Sequence, residues 1–166
     1  CEGDICIATG STQKCYSELV SDTAPVLISM DARVEIADKD GITVKKLEDI
    51  YSGDGVNPRN LSKTSIITSI ILPLNRKFKT IYKKLRQRQS LDFTTLTSSV
   101  SVDNNGKIRV VLGGVDPEPV IVEGIAGKGA DQFVKEALGK ARSIDNEMLT
   151  RIYRREMIKV FIANSL

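Results

Sequence analysis

Three cysteines fall at positions 1, 6 and 15, and none follows in the rest of the 166 residues. Their segment, CEGDICIATGSTQKCYSELVSDTAP, is rich in Gly, Ser and Thr, with only Ile5, Ile7 and Ala8 as apolar neighbours of the thiols. That composition makes a loop, and three thiols on one loop imply a shared ligand or a disulfide. An odd number does not complete a disulfide framework. Thiolates suit zinc or an iron–sulfur cluster, and each usually takes four protein ligands. Three readings stay open: a metal site on Cys1, Cys6 and Cys15, a disulfide with one cysteine left over, or unliganded thiols. A metal site lacks one ligand, and no histidine exists to supply it. Because the sequence opens on cysteine rather than methionine, it reads as processed or partial, and a fourth cysteine is expected upstream.

The absence of histidine also removes Ser-His-Asp and Cys-His nucleophile pairs. Neither GxxxxGK[ST] nor GxGxxG occurs, so any redox chemistry has to be carried by a cofactor. A net charge of +3 is too small to imply nucleic acid. Apolar runs fall well short of a membrane span, so neither nucleic acid nor membrane is an expected partner. The sparse cysteines fit a reducing, cytoplasmic compartment.

Along the chain, SDTAPVLISM (21–30) predicts a short helix capped by Ser21 or Asp22, with Pro25 in its first turn. ARVEIA and ITVKK form a hairpin about Lys39-Asp40-Gly41, and Leu47 to Tyr51 makes one helical turn. The continuous β-branched run SIITSIIL (65–72) predicts a buried strand ended by Pro73. A basic strand follows from Lys77 to Arg88, then a hairpin whose Asn104-Asn105-Gly106 turn supplies positive φ. GGVDPEPVIV reads as a connection. The first closing helix runs from Ala130 to Arg142. The second is capped by Asp145, with Leu149, Ile152, Tyr153, Met157, Val160 and Phe161 facing the core and Arg151, Arg154, Arg155 and Lys159 opposite.

The fold class is therefore α+β, in two units. Residues 1–73 form a small α+β piece whose sheet looks incomplete; residues 74–166 form a three-stranded antiparallel sheet with C-terminal helices. Between Arg76 and Arg88, RKFKTIYKKLRQR has seven positive charges and no acid. It reads as a solvated edge strand or as a surface for a nucleotide or a protein partner. A non-catalytic assembly module with structural zinc and this strand as docking surface is the alternative function.

The ordered set CYSELVSDTAPVLISMDARVEI, LEDIYSGDG, SIITSIILP, YKKLRQRQSLDF, IRVVLGGVDPEPVIVEGIAGK and YRREMIKVFIANSL resembles the FAD-binding medium subunit of the xanthine dehydrogenase and carbon monoxide dehydrogenase family. The cysteine loop before the Ser-Asp turn is similar to the branch typified by the 4-hydroxybenzoyl-CoA reductase beta subunit, which carries a [4Fe–4S] insertion there. The resemblance implies that residues 1–73 end the FAD-binding subdomain and that 74–166 are the α+β domain that closes the medium subunit. It implies FAD contacts from Asp22, Ile67 and Lys84, and cluster ligands Cys1, Cys6 and Cys15. It further implies electron transfer within a molybdenum-dependent enzyme, with a molybdenum-cofactor large subunit and a [2Fe–2S] small subunit as partners. The family's pyrophosphate-cradling glycine loops are not found in these 166 residues, so a further chain or segment carrying that half is expected. Ser65 and Gln89 depart from the family pattern.

Overall fold

A computed structural model describes residues 4–12, 14–146 and 148–166. Two antiparallel sheets organise the chain. After helix α1 (Ala24–Ser29), strands β1 (Arg33–Asp38), β2 (Gly41–Lys46) and β3 (Ile66–Ile71) form a three-stranded sheet in the order β2-β1-β3. Strands β4 (Phe78–Leu85), β5 (Leu96–Asp103), β6 (Lys107–Gly113) and β7 (Val120–Ile125) form a four-stranded meander. Helices α2 (Ala130–Lys140) and α3 (Arg151–Ala163) follow. The α+β class and the closing helices are as expected, and the meander has one strand more than the three expected. The addition is β7, which begins directly after Pro119; the prolines masked its alternation.

The hairpin turns fall where the glycines stand. Gly41 has φ +122° between β1 and β2, and Gly106 has φ +77° between β5 and β6. The larger core lies under the meander, where Leu96, Val110, Leu112 and Val122 meet Phe133, Ile158 and Ile162 of the two helices. Gly124 is required for α2 to close on β7, since a Cβ there would sit 2.5 Å from Phe133 Cζ. A smaller core gathers Ile28 of α1, Val34 and Ile36 of β1, Leu47 and Ile50 of a 3-10 turn, and Val111 of β6. Helix α1 thereby packs on β5 and β6 as well as on its own sheet.

Four local expectations are corrected. First, β3 is not buried. Ile66, Ile67, Ile70 and Ile71 are all exposed, on both faces, because β3 pairs only with β1 and nothing covers it among the described residues. Second, α3 starts at Arg151, not Asp145. Thr150 is its cap, its hydroxyl accepting from the Tyr153 amide, while Asp145 Oδ1 accepts from the Arg151 amide at 2.6 Å. Third, the buried face of α3 is Arg154, Ile158 and Ile162, and Ile152, Tyr153 and Val160 face outward. Fourth, Thr23 occupies the cap position of α1 and makes no side-chain cap bond; of the two expected residues Ser21 does accept from the Ala24 amide, while Asp22 turns away from the helix to pair with Lys84.

Arg154 sets the phase of α3, and it is 0 % exposed. Its guanidinium donates to the carbonyls of Thr95 (3.1 Å), Ile144 (2.8 Å) and Gly114, and to Glu18 Oε2 at 2.7 Å. Burial raises the Glu18 carboxyl, and the Arg154 guanidinium offsets only part of that rise. A buried cation is tolerable only with such complete satisfaction. Arg154→Met should therefore cost ~3–5 kcal/mol of stability by leaving Glu18 buried without its guanidinium, and Glu18→Gln should cost a similar ~3–5 kcal/mol by leaving the Arg154 cation without a counter-charge. Urea unfolding of the two variants checks this, and a loss below about 1 kcal/mol for either would refute it.

Candidate functional site

Strand β4 is the edge of the meander, and Tyr82 and Lys84 face the turn before α1 while Lys83 between them points to α3. Lys84 Nζ donates to Asp22 Oδ2 at 2.8 Å and to the carbonyl of Asp92 at 2.7 Å. The side chain of Lys84 is largely buried, while that of Asp22 is about half exposed. Tyr82 also reaches Asp22: burial first, then the Asp22 carboxylate, pushes its phenol up to about 12. One carboxylate thus faces both a phenol and an ammonium, and is bonded to the ammonium.

This clamp borders a cleft of about 460 Å³ lined by Ser21, Asp22, Arg88, Asp92, Phe93 and Thr94, with Val20 and Leu91. Asp92 shapes the loop that closes it. Its Oδ2 accepts from the amides of Gln87 (3.2 Å) and Arg88 (3.1 Å), and Oδ1 from the Phe93 amide at 3.0 Å. The Arg88 guanidinium and amide hold its carboxyl below the usual carboxylate range. Leu91 and Phe93 project into solvent as apolar walls. Thr94 is buried, and its hydroxyl has no hydrogen-bond partner among the described residues. The lining so combines the Arg88 guanidinium, hydroxyl groups and exposed apolar surface, with the Lys84 ammonium behind Asp22 rather than in the lining itself, a set suited to a planar heteroaromatic ligand with carbonyl oxygens.

Asp22 and Lys84, 62 residues apart, are brought together. Ile67 is not among the residues lining this cleft; it sits on β3 opposite Ile36 and is 41 % exposed. Phe93 and Thr94 were not singled out in the sequence. The only hint lay in the hydroxyl-rich FTTLTSS that follows Asp92.

Cys1 lies outside the described residues. Cys6 and Cys15 are buried, and neither is in a disulfide. The Thr9 hydroxyl, then the Tyr16 amide, with further amides from Thr9 and Ala8, lowers the Cys6 thiol to about 7 against a small opposing effect of burial. Cys15 Sγ accepts from the Ser17 amide at 3.4 Å. Among the described residues, no group of three or more His, Cys, Asp or Glu is arranged to hold a metal ion. The segment is braced by the 52–55 loop, where Gly55 N donates to the Cys15 carbonyl and Asp54 Oδ1 accepts from the Cys15 amide.

No family model matches the chain. It is 31 % identical over 118 residues to the aldehyde oxidoreductase FAD-binding subunit PaoB of Escherichia coli (strain K12), covering 69 % of this chain and 37 % of that protein. The chain is a relative of the FAD-binding subunits of molybdenum-hydroxylase-type oxidoreductases. A second relative, the glyceraldehyde dehydrogenase medium chain of Sulfolobus acidocaldarius, is 27 % identical over 153 residues, which is 84 % of this chain and 53 % of that one. The fold matches a chain of the carbon monoxide dehydrogenase of Hydrogenophaga pseudoflava, solved in a form lacking the Mo-pyranopterin moiety of the molybdenum cofactor. There the TM-score is 0.73 at 17 % identity, over 87 % of this chain and 54 % of that chain. The chain thus spans between about a third and a half of these relatives. No helix of the described residues is long and apolar enough to cross a membrane.

The brace on the cysteine loop is testable. A Cβ at Gly55 would lie 2.7 Å from both the backbone nitrogen and Cβ of Ser17 and 3.0 Å from Cys15 Sγ. Gly55→Ala should therefore loosen this segment by ~1–3 kcal/mol. Alkylation of Cys15 in the reduced, native protein should then accelerate by about tenfold or more; an unchanged rate would show that the loop is not held there.

Proposed function

We propose that this chain supplies part of the FAD site of an electron-transfer subunit in a multi-subunit molybdenum-dependent oxidoreductase. The observation that carries the reading is the Asp22–Lys84 pair at the mouth of an apolar-walled cleft, in a chain related to FAD-binding subunits. The residues fit the cofactor's ring. Lys84 and Thr94 would hold its polar edge, Phe93 and Leu91 would cover its apolar surface, and Ile67 is assigned by resemblance to the ring's vicinity. Bound FAD supplies two-electron exchange with a donor and one-electron exchange with a metal centre. The chain's own part is to position and to tune. Asp22 fixes the ammonium of Lys84, so charge developing on a bound ring meets a preorganised cation rather than water. The glycine-rich loops that the family resemblance assigns to the pyrophosphate are not among these 166 residues, so a second segment or chain has to provide them. A molybdenum-cofactor large subunit and a [2Fe–2S] small subunit are the partners proposed.

The cysteine loop carries the finer reading, an additional [4Fe–4S] relay like that of the 4-hydroxybenzoyl-CoA reductase beta subunit. The lowered Cys6 thiol favours its thiolate, and an amide donating to the Cys15 sulfur is the kind of hydrogen bond that tunes iron–sulfur clusters, which supports that reading. Cys1 and an upstream cysteine would complete the set.

Two measurements on the native assembly containing this chain test the two readings separately. Lys84→Met should weaken FAD binding about tenfold or more, by loss of one charge-assisted hydrogen bond; unchanged affinity would remove Lys84 from the site. Anaerobic absorbance with iron and sulfide analysis should give flavin bands and about four irons beyond those of the partner subunits, and Cys6→Ser should abolish those four. Flavin with no such iron would leave the FAD reading intact and refute the relay, and zinc in its place would make the site structural.

A further inference from the structure

A second cleft, of about 640 Å³, opens between the cysteine loop and the connection from α2 to α3. Its chemistry differs from that of the first. Ser143 lines it, is 4 % exposed, and its hydroxyl has no hydrogen-bond partner among the described residues. A buried hydroxyl without a partner is destabilising, so turning the Ser143 side chain toward an acceptor in the cleft would be favoured. Arg151 and Arg155 stand one turn apart on α3 and both line the cleft. Arg155 donates only to carbonyls, those of Ala141 at 3.2 Å and Leu138 at 3.1 Å. Neither guanidinium has a carboxylate partner among the described residues.

Arg142 makes a rigid wall. Its Nε and Nη2 each lie 2.7 Å from Asp116, and its guanidinium stacks over the Tyr16 ring at 5.0 Å. The one acidic residue of the lining is Asp145, and its Oδ1 is already bonded to the Arg151 amide. The cleft therefore presents a cationic excess, planar guanidinium forks and an unused buried hydroxyl. Polyatomic oxyanions with several acceptor oxygens match that donor set better than a halide does. The volume exceeds what a single ion needs.

We propose that this cleft binds a phosphate-type oxyanion, free or carried by a nucleotide, through Ser143, Arg151 and Arg155. The site is separate from the Asp22–Lys84 cleft and does not depend on the flavin reading.

Thermal-shift and calorimetric titrations of the 166-residue chain with inorganic phosphate and with AMP, against sodium chloride at matched ionic strength, test it. Phosphate, AMP or both should stabilise the chain beyond chloride. Arg151→Gln should weaken that binding about tenfold, the smaller change Ser143→Ala should weaken it several-fold, and Lys84→Met should leave it unchanged. Tighter binding of AMP than of phosphate identifies a nucleotide as the ligand, and equal affinities identify free phosphate. The proposal is overturned if neither anion stabilises beyond chloride, or if Arg151→Gln and Ser143→Ala both bind as the parent does.

Discussion

The Arg154 guanidinium joins parts of the molecule that the sequence sets far apart. From one position on α3 it holds the carbonyl before β5, the carbonyl after β6, the carbonyl of the α2–α3 connection and the carboxylate of Glu18. Each anchor adjoins something functional. Thr95 follows Thr94 of the first cleft, Ile144 follows Ser143 of the second, and Glu18 lies between Cys15 and Asp22. A hydrophobic side chain at that position would pack, but it would take their guanidinium donor from three carbonyls and leave the Glu18 carboxylate with only the Ile144 amide. The relative placement of both clefts and the cysteine segment thus depends on one cation that water never reaches.

Arg109 performs the corresponding task between the two sheets. Buried in β6, it donates to the Ile28 carbonyl at 2.9 Å, to Asp31 at 3.2 Å and to Glu48. Asp31 has φ +62°, the left-handed conformation that ends α1. That turn aims its carboxylate at both Arg109 and Arg76. Helix α1 is only six residues long, and its start is the Ser21-Asp22 turn that borders the first cleft. Anchoring both ends of so short a helix fixes where Asp22 can point, and Lys84 on the rigid meander meets it there.

Much of this was legible from residue order. Asn104-Asn105-Gly106 and Lys39-Asp40-Gly41 specified their hairpins because each turn needs a positive φ that glycine supplies without strain. Where reading failed, long-range satisfaction had overridden local pattern. Helix α3 has the expected period but another phase, because hydrophobicity alone points Arg154 outward and four acceptors from elsewhere draw it in. The isoleucines of β3 read as core, yet what decides their exposure is how many neighbours the strand has, which composition does not encode. In the site, Asp22 and Lys84 were named by family resemblance, but their contact is a product of the fold. Ser143 carried no sequence signal and Thr94 only its place in a hydroxyl-rich run, since an unpaired hydroxyl is visible only once its surroundings are known.

The exposed third strand affects how the molecule opens. The meander is closed over its own core by two helices, while β3 has one paired edge and little buried area on either face. Stability is therefore graded along the chain: the edge strands β2 and β3 are the least protected parts of their sheet, and the β5–β6 hairpin is held under the larger core. The free edge of β3 will accept a strand from whatever chain presents one, in productive assembly or in aggregation alike. The order in which neighbouring segments fold against this sheet thus becomes a matter of kinetics as well as of fit.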